Sequence, residues 1–408
     1  MLNRLLASIC TLGACLLVIA ADWPRFRGPN GEGIASDQTI PVKWTANDYL
    51  WKKDVPGSGN SSPVIVQGKL FMQTATPQVR KLLCYDSQTG ELLWEAAEKA
   101  EPVRHHLKNS LASSTPSADS QRVVTIYWVG EGLVMVAYDH AGKRLWRVPL
   151  GDYKSEHGAG LSPVLVGDKV FVNFDQDGKA KAQAFNAADG SLVWSADRKA
   201  FRACYSSPFI LERNGKRELI VAGSLGITSY HPETGSVNWD WEMDWTGEKQ
   251  PLRMVGSPIA GKGLIFASTG DGSGSSRMVA IRPGSHGAVP AVWEKKTKGF
   301  PYVTCMLLSG DYLFTVGDKG IAGCFDAVKG TEIWRERLGG AFTSSPILVN
   351  GVIYAINEEG TCYTYRAAPK FELLGKMSLG ERVMATPAVA NGRLYIRTET
   401  KLLCLGKR

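Results

Sequence analysis

Charge is thin along this chain. Only 21% of its 408 residues are Asp, Glu, Lys or Arg. So low a fraction argues against long disordered tails. The net charge of +8 is scattered, and no run of five basic residues occurs. A nucleic-acid footprint needs clustered Lys and Arg, so no nucleic-acid partner is expected. There is no Cys-x-x-Cys-His, which excludes covalent haem attachment. There is no His-Glu-x-x-His, Gly-x-Ser-x-Gly or phosphate-binding loop either, so the common metalloprotease, hydrolase-elbow and nucleotide motifs are missing.

One long apolar run exists, at the N-terminus. Arg4 precedes a nearly uninterrupted apolar stretch from Leu5 to Ile19, and Ala20-Ala21 stands before Asp22. That is the pattern of a secretory signal peptide over residues 1–21. The mature chain, 22–408, is expected to carry no transmembrane span. An alternative processing site is Leu12-Gly13-Ala14-Cys15, which is similar to a bacterial lipoprotein cleavage box and would lipidate Cys15. Six cysteines remain after export. Cys84, Cys324 and Cys404 take the place that Ala137, Ala184, Ser229 and Ala280 take elsewhere, where a small buried side chain is wanted. Cys305 and Cys324 form the one pair worth testing as a disulfide.

What the chain has in quantity is glycine (44) and tryptophan (12), and they are periodic. Cys84-Tyr85-Asp86 runs through Thr89-Gly90 to Trp94, and Cys324-Phe325-Asp326 runs through Gly330 to Trp334. The same unit ends at Trp146, Trp194 and Trp239. Its period, roughly 40–50 residues, is that of a propeller blade. A second marker precedes each unit, as in Ser62-Pro63-Val64-Ile65-Val66, then Gly68-Lys69 and a second strand. Asn350-Gly351 and Asn391-Gly392 are two-residue hairpin signals. Such openings fall at Pro63, Pro116, Pro163, Pro208, Pro258, Pro346 and Pro387, with an eighth lacking proline near Met306.

Each opening leads through four strands. The last unit stops before its fourth, and Tyr49-Leu50-Trp51-Lys52 is a spare strand at the front. Pairing the two would close a ring and hide two open sheet edges. The expected fold is all-β: an eight-bladed propeller of four-stranded antiparallel blades over 22–408, closed by the N-terminal strand. Trp51, Trp94, Trp146, Trp194, Trp239, Trp293 and Trp334 are read as blade-to-blade docking residues rather than ligand contacts.

The Ala-x-Asp-x-x-Thr-Gly-x-x-x-Trp repeat resembles the tryptophan-docking motif of the pyrroloquinoline quinone (PQQ) propeller superfamily. That superfamily includes quinoprotein dehydrogenases and the BamB family of outer-membrane assembly lipoproteins. Asp22-Trp23-Pro24-Arg25-Phe26-Arg27-Gly28-Pro29-Asn30-Gly31 is similar to the start of exported PQQ-like repeat proteins of planctomycete-type bacteria. The resemblance spans the mature chain. It implies the propeller and leaves two functional readings, a scaffold or a PQQ- and calcium-dependent dehydrogenase or sensor. Dehydrogenases of the superfamily carry an adjacent cysteine pair and long insertions building a calcium site, and this chain has neither. Asp175-Gln176-Asp177-Gly178 is a calcium-loop fragment without the later ligands, read as a polar turn.

If the fold is a propeller, the loops before the innermost strands face the central channel. They carry His106, Asn109, His157, Arg202, Arg253, Tyr302 and Arg382 as candidate ligand-binding residues, suited to a polar or anionic ligand. They are poor in Asp and Glu, against a carboxylate-pair hydrolase. No catalytic residue, metal ligand or resident cofactor is assigned. The expected protein is a monomeric, exported, non-enzymatic scaffold in the periplasm or cell envelope, binding a protein or envelope polymer.

Overall fold

The structure is a computed structural model that describes residues 22–36, 38–272 and 275–407. The expected leader over 1–21, with Cys15, lies outside them. Eight antiparallel sheets follow one another around a ring. Blade 1 spans 64–99, blade 2 117–152, blade 3 164–198 and blade 4 209–242. Blade 5 spans 259–296, blade 6 307–337, blade 7 347–378 and blade 8 388–406. The fourth strand of blade 8 is Tyr49–Asp54, antiparallel to Lys401–Gly406, with Trp51 opposite Cys404. The expected eight-bladed ring closed by the N-terminal strand is the ring that forms. An addition is Ile34–Ala35, which joins blade 7 as a parallel fifth strand beside Leu348 and Val349.

Local chemistry makes the blades. Asn350-Gly351 and Asn391-Gly392 both hold positive φ at both positions (47° and 75°, 51° and 71°), the two-residue turn whose twist suits a hairpin. Each repeat tryptophan stands directly across the strand pair from the small residue: Trp94 from Cys84, Trp146 from Ala137, Trp194 from Ala184, Trp293 from Ala280. The indole leaves that small neighbour and lies on the next blade. A Cβ on Gly142 would sit 2.8 Å from Trp94, one on Gly190 2.8 Å from Trp146, and one on Gly330 2.7 Å from Trp293. The indole N–H also donates to the next blade: Trp94 to His140 O (3.1 Å), Trp194 to Pro232 O (2.8 Å), Trp334 to Ala368 O (2.9 Å). The glycine of one repeat therefore serves the tryptophan of the repeat before it.

Trp239 departs from the expected docking. It stays buried in the apolar cluster shared with Ile265 and Val279 of blade 5, but its N–H donates to Glu218 within its own blade at 2.6 Å. Trp241, two residues on and so on the same face, makes the bond to Val289 O of blade 5 at 2.9 Å. The cause lies in blade 5, where the Thr-Gly turn is replaced by the longer connection 282–292. The proposed disulfide is also corrected. All six described cysteines are free and buried. Cys324 faces Trp334, while Cys305 serves at the channel.

At the channel the blades are joined by a second device. The residue before seven of the eight openings donates its backbone N–H to the equivalent side chain of the next blade. The links run from Ser207 to Ser257, Cys305, Ser345, Thr386, Ser62, Thr115 and Ser162, at 2.9–3.1 Å. Every one of these side chains is buried. Seven links thus tie eight blades with one hydroxyl or thiol each, and Cys305 is the sulfur member.

The segment from Asp22 to Ala35 crosses the opposite end of the channel. Trp23 pairs with Ile65 of blade 1, and Pro24 O accepts from Ala118 N of blade 2. Arg25 donates to Pro208 O of blade 4 (3.0 Å). Arg27 donates to Pro346 O of blade 7 (3.0 Å) and Met306 O of blade 6 (2.7 Å). Both guanidiniums are buried among carbonyls, and burial brings Arg25 down to about 10. Phe26, between them, reaches the channel. The motif that stood out in the sequence is thus a plug fastened to five blades.

Removing an indole should expose how much the ring rests on it. Trp146→Ala is expected to cost about 3–5 kcal/mol. Gly190→Ala strikes the same contact, so the double variant should cost clearly less than the sum of the two singles. Guanidinium titrations of the four proteins measure this, and strict additivity would contradict the docking contact.

Candidate functional site

With its floor closed by Phe26, the channel is a cavity of about 750 Å3 open on one face. That falls inside the range of small-molecule pockets. Its wall is the ring of hydroxyls and the Cys305 thiol, and its mouth carries His106, Lys108, Asn109, His157, Tyr205, Tyr302 and Asp318. Two kinds of loop build the mouth. The connections between blades bring the histidines and tyrosines, as expected. The turns between second and third strands bring acids that the sequence reading did not place there.

Those acids hold the other loops in position. Asp177 accepts from Glu156 N (2.9 Å) and Ala203 N (2.8 Å). Asp318 accepts from Tyr302 N (2.9 Å) and Val303 N (3.0 Å). Burial raises the Asp318 carboxyl in spite of these donors. Asp175 is wholly buried against Arg198, 2.9 Å from Nε. In Asp175-Gln176-Asp177-Gly178 both carboxylates therefore face N–H donors, the environment of an anchored turn and the opposite of a cation site. Its signal in the sequence was a turn acid recurring ahead of the third strand, at Asp177, Asp318 and Glu358.

The candidate ligand-binding residues fall into two groups. His106 and His157 lie together, their ring centroids 4.6 Å apart and their planes tilted by 35°. Asn109 is consumed by the loops: its amide donates to His157 O (2.8 Å) and Ala159 O (3.0 Å), and its Oδ1 accepts from Ser110 N (2.8 Å). Arg202 and Arg253 both donate to Glu156 Oε2 at 2.8 Å. Arg253 Nη1 also approaches His157 Nε2 at 3.4 Å, which makes Nε2 the acceptor and puts the ring hydrogen on Nδ1. Burial, then Arg253, lowers His157, keeping it neutral at pH 7. Tyr302 lies beside Arg253, and burial raises its phenol. Arg382 stands apart, 3.6 Å from Glu358, which also receives Lys108 at 2.8 Å. Glu156 was the residue missed, although it adjoins His157 in the chain.

A calcium-bound quinone needs clustered acidic and amide ligands. Among the described residues no group of three or more His, Cys, Asp or Glu side chains could hold a metal ion. Asp177 and Asp318 are taken up by backbone N–H groups, Glu156 by arginine and Glu358 by lysine.

The mouth gives a pH signature. The hydrogen bond from Arg253, foremost, holds the Glu156 carboxyl below its ordinary value. A depressed carboxylate contributes stability that is whole above its unfolded pKa, about 4.3, and lost as pH falls through the lower folded value. The stability gap between wild type and Glu156→Gln should shrink as pH falls below about 4.3. Denaturant midpoints from about pH 5 to 3 check it, and a gap that does not shrink over that range would contradict the pairing.

The sequence model described as outer membrane protein assembly factor BamB matches residues 35–127, 130–290 and 287–369. The protein of that name from Bordetella pertussis (strain Tohama I) is 22% identical over 394 residues, covering 94% of this chain and 90% of its own. The one from Burkholderia pseudomallei (strain K96243) is 23% identical over 284 residues, covering 66% of this chain and 64% of its own. Among solved structures, BamB from Moraxella catarrhalis has a TM-score of 0.63 at 13% identity, covering 88% of this chain and 99% of that one. A europium-containing methanol dehydrogenase has a TM-score of 0.71 at 11% identity, covering 95% and 98%. An assembly factor and a dehydrogenase share this fold, so the structural likeness speaks for the fold alone. The sequence match runs over most of the blades, and by it the chain belongs to the outer membrane protein assembly factor BamB family.

Proposed function

We propose that this chain is an exported, non-catalytic docking module of the cell envelope that holds a protein partner on its open face. The observation that carries the reading is the pair of apolar side chains standing in solvent beside the mouth. Leu107 is 89% exposed and Phe201 48%, each on a connection between blades. Large apolar side chains beside a ring of paired charges are the make-up of an interface centre with a polar rim.

The rest of the molecule supports a one-sided surface. The tryptophans are taken up in docking, the hydroxyl ring in joining blades, and the N-terminal motif in closing the far end. A partner therefore reaches the channel only from the face that carries Leu107 and Phe201. The family name supports a place in assembly at the outer membrane, and the apolar run from Leu5 to Ile19 supports export. In this reading the protein acts as a monomer, without a resident cofactor and without a nucleic-acid partner.

The test uses the full mature chain as bait in envelope extracts. A Leu107→Asp/Phe201→Asp double variant should lose the partner that wild type captures, by tenfold or more. Leu373→Asp, on an exposed outer strand, should keep it. If the double variant captures the same proteins at the same yield, the reading is wrong.

A further inference from the structure

Glu156 is placed oddly for a structural ion-pair partner. Its side chain is 63% exposed, yet it pairs with Arg253, whose side chain is 5% exposed, and Arg202, at 16%. Both guanidiniums converge on the same oxygen, Oε2. Two further donors beside it, Arg253 Nε and His157 Nδ1, are buried and have no hydrogen-bond partner among the described residues. His157 Nδ1 stands 3.7 Å from Glu156 Oε2, too long for a hydrogen bond. The cluster therefore offers more N–H groups than its one carboxylate satisfies. An unmade hydrogen bond at a buried donor is costly, and a charged donor makes it more so.

The surroundings keep that excess fixed. Asp177 pins the backbone of Glu156 and Ala203. Tyr205 OH holds the same loop through Ser155 Oγ (2.6 Å) and Gly158 O (2.9 Å). Two guanidiniums face the one Glu156 carboxylate at the rim of a cavity large enough for a ligand, while the Asp177 carboxylate beside them is taken up by backbone N–H groups. The fork geometry of arginine suits planar carboxylate. Glu156 itself can swing out without disturbing the packing, because most of its side chain already stands in water.

We propose that the Arg202–Arg253–His157 cluster at the channel mouth is a carboxylate-binding site that Glu156 fills in the free protein. An incoming carboxylate presents two oxygens, one to the guanidiniums and one to His157 Nδ1–H, and releases Glu156 to solvent. It comes from a free aliphatic acid or from an acidic side chain on a docked segment. The proposal deepens the docking reading, and rests on it only for the second of these sources.

Calorimetric titration of the full mature chain tests it, with sodium glutarate and the capped peptide acetyl-Glu-Glu-Glu-amide as probes at constant ionic strength. Glu156→Ala removes the internal competitor and should bind glutarate at least about tenfold tighter than wild type. Adding Arg202→Gln, at the rim where folding is least at risk, should undo that gain. Near-UV circular dichroism confirms that each variant is folded. No gain in Glu156→Ala, or a gain that survives Arg202→Gln, would overturn the site. So would inorganic phosphate binding as tightly as glutarate, which would make it a general anion pocket. Within a confirmed site, tighter binding of the peptide than of glutarate assigns the carboxylate to a docked protein, and the reverse assigns it to a small acid. Glutarate binding together with failed partner capture would sink the docking reading and leave the site standing.

Discussion

A ring of separate sheets holds only if each sheet meets the next without slack all the way round. Here that requirement is met at two radii. Outside, at five of the eight joints, an indole lies on a glycine of the following blade, so close that a single added methyl group would overlap it. Inside, a backbone N–H reaches one hydroxyl or thiol of the following blade. The outer contact is apolar and tolerant of direction, while the inner one is short and directional. Together they set the tilt between blades, and the tilt summed over eight blades sets the width of the channel. The closing strand Tyr49–Asp54 brings Trp51 onto Gly90, so the joint between the chain ends is built like the other joints.

A closed ring creates its own problem, a channel lined by the starts of innermost strands whose carbonyls face inward. The N-terminal motif answers it. Arg25 and Arg27 donate to carbonyls of blades 4, 6 and 7. Arginine is suited to this because its planar fork satisfies several carbonyls while remaining weakly hydrated. The result is asymmetry. One face is sealed and committed to structure, and the other is open, with its loops free to differ from blade to blade.

The open face is organised by acids that brace one loop against another. Asp177 and Asp318 spend their oxygens on backbone N–H groups of neighbouring loops. A sequence pattern that suggests metal binding can thus be a loop anchor, and the difference is whether donors or acceptors surround the carboxylate. Glu156 is the acid that remains exposed, and it is the one that meets two arginines.

The blade count, the closing strand, the hairpin turns and the small residues opposite the tryptophans were legible in the sequence. Each depends on residues a few positions apart, repeated often enough to be counted. Trp239 shows the limit of that logic. Its motif is intact, but the contact depends on the turn of blade 5, which departs from the repeat. The loops facing the channel could also be named in advance, since their place follows from the strand order. What no local pattern contains is which of their side chains meet. Glu156 and Arg253 lie 97 positions apart, and Arg27 and Pro346 lie 319 apart. These pairs are fixed by the radius and tilt of the whole ring. The sequence alone therefore determined the scaffold, through short-range repetition, and the tertiary structure decided the plug and the charged mouth, because both exist only where distant blades converge.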